Sequence, residues 1–290
     1  NTLYNSILSG VEIDGEGWTY TNPLCWHGPG HELLSNDAHV RFDPGEKNIC
    51  CPTNLLRTVA GWHGYLYTTD QAGLWVHHYG ANRATIALPG GGSVELTMET
   101  DYPWDGSVKL RLDQVDSPGE FAIRVRVPEW TRHASLAVNG QAAPVEAAAG
   151  SYAELKRQWK AGDLVELNLP MPVRMMVARP RLEQARGQVA VSRGPIVYCL
   201  ESIDLPEGVS IDQVAIPRDA SWEVKHEPDL LGGVTTLGTQ ALALPALDPD
   251  GPLYQELPQG EIKTIPVRLI PYYAWNNRGE PQMSIWLTLQ

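Results

Sequence analysis

The string with the most chemical content in this sequence is Asn48-Ile49-Cys50-Cys51-Pro52-Thr53-Asn54. Two adjacent thiols stand directly before a proline, and proline suits the first position of a helix, where its missing N–H would have no partner anyway. Leu55, Leu56, Val59 and Trp62 then recur on one stripe, which predicts a helix from Pro52 to about Tyr65 with Cys50 and Cys51 at its amino-terminal edge. A thiol in that place meets unpaired backbone N–H groups and the positive end of the helix dipole, and both favour the thiolate. The thiolate is the nucleophilic and the metal-binding form of cysteine, and an adjacent pair suits a soft or borderline cation such as zinc. The plain alternative is core packing, since cysteine is among the most buried residue types.

The histidines offer less. His27 and His31 are four apart beside Glu32, but Gly28-Pro29-Gly30 between them forbids the helix that would set both on one face. His77 and His78 alternate in what reads as a strand, so at most one of them faces any site. Cys25 and Cys199 read as structural, the latter inside the apolar run Ile196 to Leu200. Ahead of the cysteine pair, Trp18, Tyr20, Trp26 and His27 gather with several carboxylates, the mixture that stacks on sugar rings and binds hydroxyls. Ten tryptophans against two phenylalanines point the same way, although each aromatic taken singly fits ordinary packing.

The elements that must position these residues are of two kinds. Leu3, Ile7 and Leu8 share a helical face that ends on Gly10, a residue suited to a left-handed cap. From Val11 to Asn48 no period is sustained, and a connection of that length tends to be functional. After Tyr65 short period-two runs take over, among them Leu74–Tyr79, Ser93–Glu99, Val108–Leu112, Phe121–Val127 and Leu164–Leu169, with an Asn139-Gly140 hairpin turn. That pattern predicts half-buried antiparallel strands in a sandwich. A junction near residue 175 precedes a second strand-rich region, with Gln188–Val191, Ile196–Leu200, a loop-rich Pro/Gly/Asp stretch, then Ile265–Ile270 and Met283–Leu289.

With 290 residues, 43% of them apolar, the chain has room for more than one core. A net charge of −12 spread along the chain argues against nucleic acid and anionic membranes as partners. No run reaches membrane-spanning length. Four cysteines are too few for a disulfide framework, and adjacent ones rarely bridge each other, so free vicinal thiols lean toward a reducing, cytoplasmic compartment. A start without Met, inside what reads as a helix, fits part of a longer protein, and self-association as a homodimer is left open.

Several strings taken together resemble glycoside hydrolase family 127, the β-L-arabinofuranosidase family. They are Leu3-Tyr4-Asn5 with Ser9-Gly10, Tyr20-Thr21-Asn22-Pro23-Leu24, Cys50-Cys51-Pro52-Thr53-Asn54, Arg193-Gly194-Pro195 with Val197-Tyr198-Cys199-Leu200-Glu201, and Ile270 through Gly279. The resemblance implies a mainly β chain in which two β-sandwich domains, 67–175 and 176–290, follow the last helices of an (α/α)6-barrel catalytic domain in 1–66. It implies a retaining glycosidase with Cys50 as nucleophile, Cys50 and Cys51 as zinc ligands, Tyr20 near the sugar, and an arabinose-containing oligosaccharide or glycan as substrate. The family's other two zinc ligands and its glutamate acid/base are expected upstream of Asn1, so the 290 residues alone are expected to bind zinc weakly and not to hydrolyse glycosides. Two further readings stand beside this one: a β-sandwich carbohydrate-binding or scaffolding module, and a zinc-binding structural protein without turnover.

Overall fold

The computed structural model describes residues 2–19, 21–28, 50–248, 250–279 and 281–290. The chain is mainly β, with 41% strand against 14% helix, and it divides into two compact units, one of residues 1–55 and 173–290, the other of residues 56–172. No helix among the described residues is long and apolar enough to cross a membrane.

The unit of residues 56–172 holds two sheets around one core. A four-stranded sheet runs in the order Ser151–Arg157, Phe121–Val127, Gly73–Val76, Tyr67–Asp70, and a six-stranded sheet in the order Asn82–Ala87, Ser93–Glu99, Ser107–Asp116, Leu164–Asn168, Ser135–Val138, Gln141–Ala142. The period-two pattern explains the core: Val94, Leu96 and Met98 alternate inward, as do Val108, Leu110 and Leu112, and they meet Leu74, Ile123 and Val125 from the other sheet. Gly73–Val76 and Phe121–Val127 are the parallel pair. They approach so closely at Gly73 (φ +143) that a Cβ there would stand 2.1 Å from the Ala122 carbonyl oxygen, so only glycine fits. Asn139 and Gly140 both take positive φ, 51° and 73°, as the hairpin turn requires.

Against expectation, the strand containing Leu74 stops at Val76, so His77 and His78 lie beyond it. His77 is bound at both ring nitrogens, to the Tyr152 hydroxyl at 2.6 Å and the Thr68 hydroxyl at 2.7 Å. His78 packs its ring on Trp62 with centroids 4.5 Å apart. Burial, then the nearby Arg126 and His77, push its pKa from 6.5 down to about 4. The unfolded chain therefore takes up a proton near pH 6.5 that the folded chain refuses until about pH 4. This contribution to stability is complete above pH 6.5 and is lost as the pH falls toward 4. Amide-exchange protection of the sheet strands at pH 7.5 and 4.5 should thus fall further in the wild type than in His78→Gln; an equal fall in both would remove His78 as the cause.

The other unit is built on one sheet of ten strands. Its order is Cys25–Trp26, Met283–Ser284, Ile196–Glu201, Lys263–Pro271, Val234–Ala243, Val214–Ile216, Leu287–Leu289, Gln188–Arg193, Val173–Met176, with Glu223–Glu227 added to Val234–Ala243. The sheet closes on itself because Gln188–Arg193 uses its two ends differently: Gln188 and Val189 pair with Thr288 and Leu287, whereas Ser192 and Arg193 pair with Val197 and Ile196. The final apolar run is two short strands, not one. The backbone breaks at Ile285 and Trp286, where Ile285 N–H donates to the Leu24 carbonyl at 3.0 Å and the Ser284 hydroxyl to the Trp286 carbonyl at 2.7 Å. The stretch after Glu201 that reads as loops also holds Val214–Ile216, Glu223–Glu227 and the ten-residue Val234–Ala243.

The opening segment is a short π-helix, Leu3–Ile7, then a 3-10 turn, Leu8–Gly10. Gly10 is not among the residues with positive φ; the chain leaves through extended Val11. A Cβ there would lie 3.1 Å from Leu55 Cδ1, a tight contact that a small shift of that side chain would relieve.

Candidate functional site

The helix carrying the thiol pair spans Cys50–Gly61 and continues as a 3-10 turn, Trp62–Tyr65. Cys50 and Cys51 therefore occupy the first turn itself, and Pro52 is its third residue. Proline is tolerated there because the first four N–H groups of a helix have no intrahelical acceptor. The expected apolar stripe is only partly covered: Leu56 and Val59 are 54% and 45% exposed.

Both thiols are exposed among the described residues. Their Sγ atoms lie 3.8 Å apart. The Cys50 carbonyl accepts from Thr53 Oγ1 at 3.1 Å and Asn54 Nδ2 at 2.8 Å, which ties the first turn around it. Partial burial, then the hydrogen bond and the charge of the adjacent Cys50, push the Cys51 thiol up. At Cys51 the helix start thus does not win: two thiolates at this separation repel, and both form readily only when a cation lies between them. Zinc–sulfur bonds of about 2.3 Å in a tetrahedral shell place two sulfurs about 3.8 Å apart, so the observed pair fits one edge of such a shell without rearrangement. Among the described residues no group of three or more His, Cys, Asp or Glu side chains converges to complete it.

Tyr20 and His31 lie outside the described residues. On either side of Tyr20, the Thr19 hydroxyl donates to the Thr21 carbonyl at 3.1 Å and accepts from Thr21 N–H at 3.3 Å. Trp18 and Trp26 are 6% and 1% exposed, so these two aromatics of the loop serve packing. Trp26 enters the core formed with Ile270, Tyr272, Trp275 and Met283. Cys199 is buried as expected, and burial raises its thiol pKa well above the usual range. Cys25 is half-buried, with its sulfur 3.3 Å from His27 Nε2.

Three residues that carry no role in the sequence reading hold this region in place. Asn5 Nδ2 donates to the Pro195 carbonyl at 2.9 Å while its Oδ1 accepts from Val197 N–H at 2.8 Å. The Tyr272 hydroxyl donates to the Pro23 carbonyl at 2.9 Å. Glu201, fully buried, accepts from Asn276 N–H at 2.6 Å and pairs with Arg278 at 2.5 Å. A signal for Glu201 was available in the sequence, a lone carboxylate closing the apolar run Ile196 to Leu200.

Comparison with known proteins bears on the whole chain. Residues 1–64 match the model of the β-L-arabinofuranosidase GH127 catalytic domain, residues 73–171 that of the GH127 middle domain, and residues 173–288 that of the glycoside hydrolase family 127 C-terminal domain. A non-reducing end β-L-arabinofuranosidase of Bifidobacterium longum subsp. longum is 34% identical over 98% of this chain and 44% of its own length. Among solved structures, a glycoside hydrolase superposes with a TM-score of 0.92 at 41% identity, over 99% of this chain and 47% of the other. A GH127 β-L-arabinofuranosidase from Geobacillus stearothermophilus T6 superposes at 0.89 with 36% identity, over 99% and 45%. The chain spans about half the length of these relatives. Three models of one family in their order along nearly all of the sequence, on a fold shared with its solved members, establish that the chain belongs to glycoside hydrolase family 127.

Proposed function

We propose that this chain is the part of a retaining β-L-arabinofuranosidase that supplies a zinc-held cysteine nucleophile, with residues 1–66 closing an (α/α)6 barrel, 67–175 forming a β-sandwich domain and 176–290 a second β domain. The observation that carries the reading is the exposed thiol pair in the first helical turn, 3.8 Å between sulfurs, inside the segment that matches the family's catalytic domain. Cys50 and Cys51 would hold the zinc, which when bound keeps both sulfurs deprotonated at neutral pH.

Cys50 Sγ attacks the anomeric carbon of a terminal arabinofuranose as the bond to the leaving oxygen breaks, and that oxygen takes a proton from an acid. Water then attacks the same carbon, gives up its proton, and the carbon–sulfur bond breaks to return the thiolate. Two inversions give net retention, with sulfur in the place of one of the usual two carboxylates. Tyr20 contacts the sugar, and the substrate is an arabinose-containing oligosaccharide or glycan. The 290-residue chain assayed by itself is expected to be inactive; turnover of an aryl β-L-arabinofuranoside by that chain would refute this.

Elemental analysis of the full-length natural protein tests the metal. About one zinc per chain is expected, falling sharply in both Cys50→Ser and Cys51→Ser. Zinc that persists through both substitutions, or its absence from the wild type, would sink the thiolate site and favour a non-catalytic carbohydrate-binding module.

A further inference from the structure

The segment matched to the catalytic domain is bound, within one compact unit, to the sheet of the C-terminal domain at a series of points. Asn5, 7% exposed, closes both of its amide groups on the turn at Pro195 and Val197. Ile13 N–H donates to Asn277 Oδ1 at 3.0 Å. Pro23 is buried between exposed Asn22 and Leu24, and having no N–H it offers only its carbonyl, which the Tyr272 hydroxyl meets from a side chain 3% exposed. Leu24 then accepts from Ile285 N–H, and Cys25 and Trp26 run as a strand against Ser284 and Met283.

We propose that Asn5 and Tyr272 are positioning residues of the sugar site, and that the C-terminal domain is the mould in which Pro23–Trp26, the stretch that follows the substrate-binding string, is set. The inference rests on the reading that this string contacts the sugar. Its physical basis is that one tie fixes the chain ahead of the segment and the other holds the segment from within. Asn5 fixes the chain before the Val11–Trp18 bridge, and Tyr272 fixes Pro23 just after Asn22, whose side chain meets the Ser9 hydroxyl. Both ties are buried, where water cannot replace a lost partner. The C-terminal domain is then no appendage: truncating one hydroxyl in it alters how substrate is held.

The test is Tyr272→Phe, which keeps the ring in its core, with Asn5→Ala as a second variant, both in the full-length natural protein. Steady-state kinetics on an aryl β-L-arabinofuranoside, zinc content and amide exchange of residues 19–28 are read together. A misplacement of the segment should raise KM about tenfold with a smaller change in kcat, leave zinc unchanged, and speed exchange at Leu24–Trp26. Faster exchange with unchanged KM in both variants makes the ties purely structural and overturns the proposal; so does exchange unchanged in both. A wild type that does not turn over the substrate defeats the functional reading, and the positioning role with it, whereas wild-type turnover with unaltered variants defeats the positioning role alone.

Discussion

Cys50→Ala in the full-length protein is expected to lower kcat for an aryl β-L-arabinofuranoside on the order of 10⁴-fold or more, the scale seen when a covalent nucleophile is deleted and only binding and electrostatics remain. The expectation follows from exposure and geometry together. Cys50 is open to solvent at a helix start, next to a second thiol whose proton partial burial and then its neighbour make harder to remove. Such a pair needs a cation to hold both sulfurs ionised, and a solvent-accessible thiolate is a strong nucleophile. Cys51→Ala should also lose zinc and most activity, so the two substitutions alone do not separate ligand from nucleophile. Acid-quenching the wild type during turnover does. A peptide containing Cys50 should carry the mass of one pentosyl group, and in Cys51→Ala any residual adduct should stay on Cys50. Activity of Cys50→Ala within tenfold of wild type, or an adduct on a carboxylate, would end the cysteine mechanism.

What was legible in the sequence at this site is what thiol chemistry makes local. Cys50, Cys51 and Pro52 are consecutive, so a reader needs only the helix start to see the pair. The side chains that shape the neighbouring segment could not be read that way, because their partners are distant: Asn5 and Pro195 are 190 residues apart, Tyr272 and Pro23 are 249, Glu201 and Asn276 are 75. Resemblance to a family flagged their strings without saying what each residue does.

The fold divides along a similar line. Strands with one solvated face, such as Ser93–Glu99 with its alternating burial, announce themselves by period two. Val234–Ala243 does not: its first four residues are all buried, so Val-Thr-Thr-Leu has no alternation to detect. Ser151–Arg157 fails for the opposite reason, with only Ala153 and Leu155 buried among polar neighbours. Gly10 shows that an element can end where expected for a different reason, since its backbone is not left-handed.

The buried charges carry the second large effect. Glu201→Ala is expected to destabilise the unit of residues 1–55 and 173–290 by about 3–5 kcal/mol, the combined cost of removing one carboxylate of a buried ion-pair network and stranding a buried N–H. Arg278 pairs with both Glu201 and Asp204 at 2.5 Å, and Arg268 joins Asp204 at 2.5 Å, while Asn276, held at φ +58, gives its N–H to Glu201. Loss of Glu201 strands that N–H and leaves Arg278 with one carboxylate. Glu201→Gln keeps an acceptor for Asn276 and should cost less, about 1–2 kcal/mol. Because the chain has two compact units, a single melting temperature is the wrong observable; exchange protection of Ile196–Glu201 and Lys263–Pro271 is the right one, expected to fall about 100-fold or more in Glu201→Ala. Protection within tenfold of wild type would show the network to be dispensable. The pH dependence separates loss of the pair from loss of charge. Burial pushes the Glu201 carboxyl up, against the hydrogen bonds from Asn276 and Arg278 that draw it down. A carboxyl whose folded pKa lies above its unfolded value binds its proton more tightly when folded, so through Glu201 the fold gains rather than loses as the pH drops through that range. Acidification should therefore spare this unit at Glu201 while Glu201→Ala does not, because what the fold requires there is the filled, hydrogen-bonded position more than the ionised group.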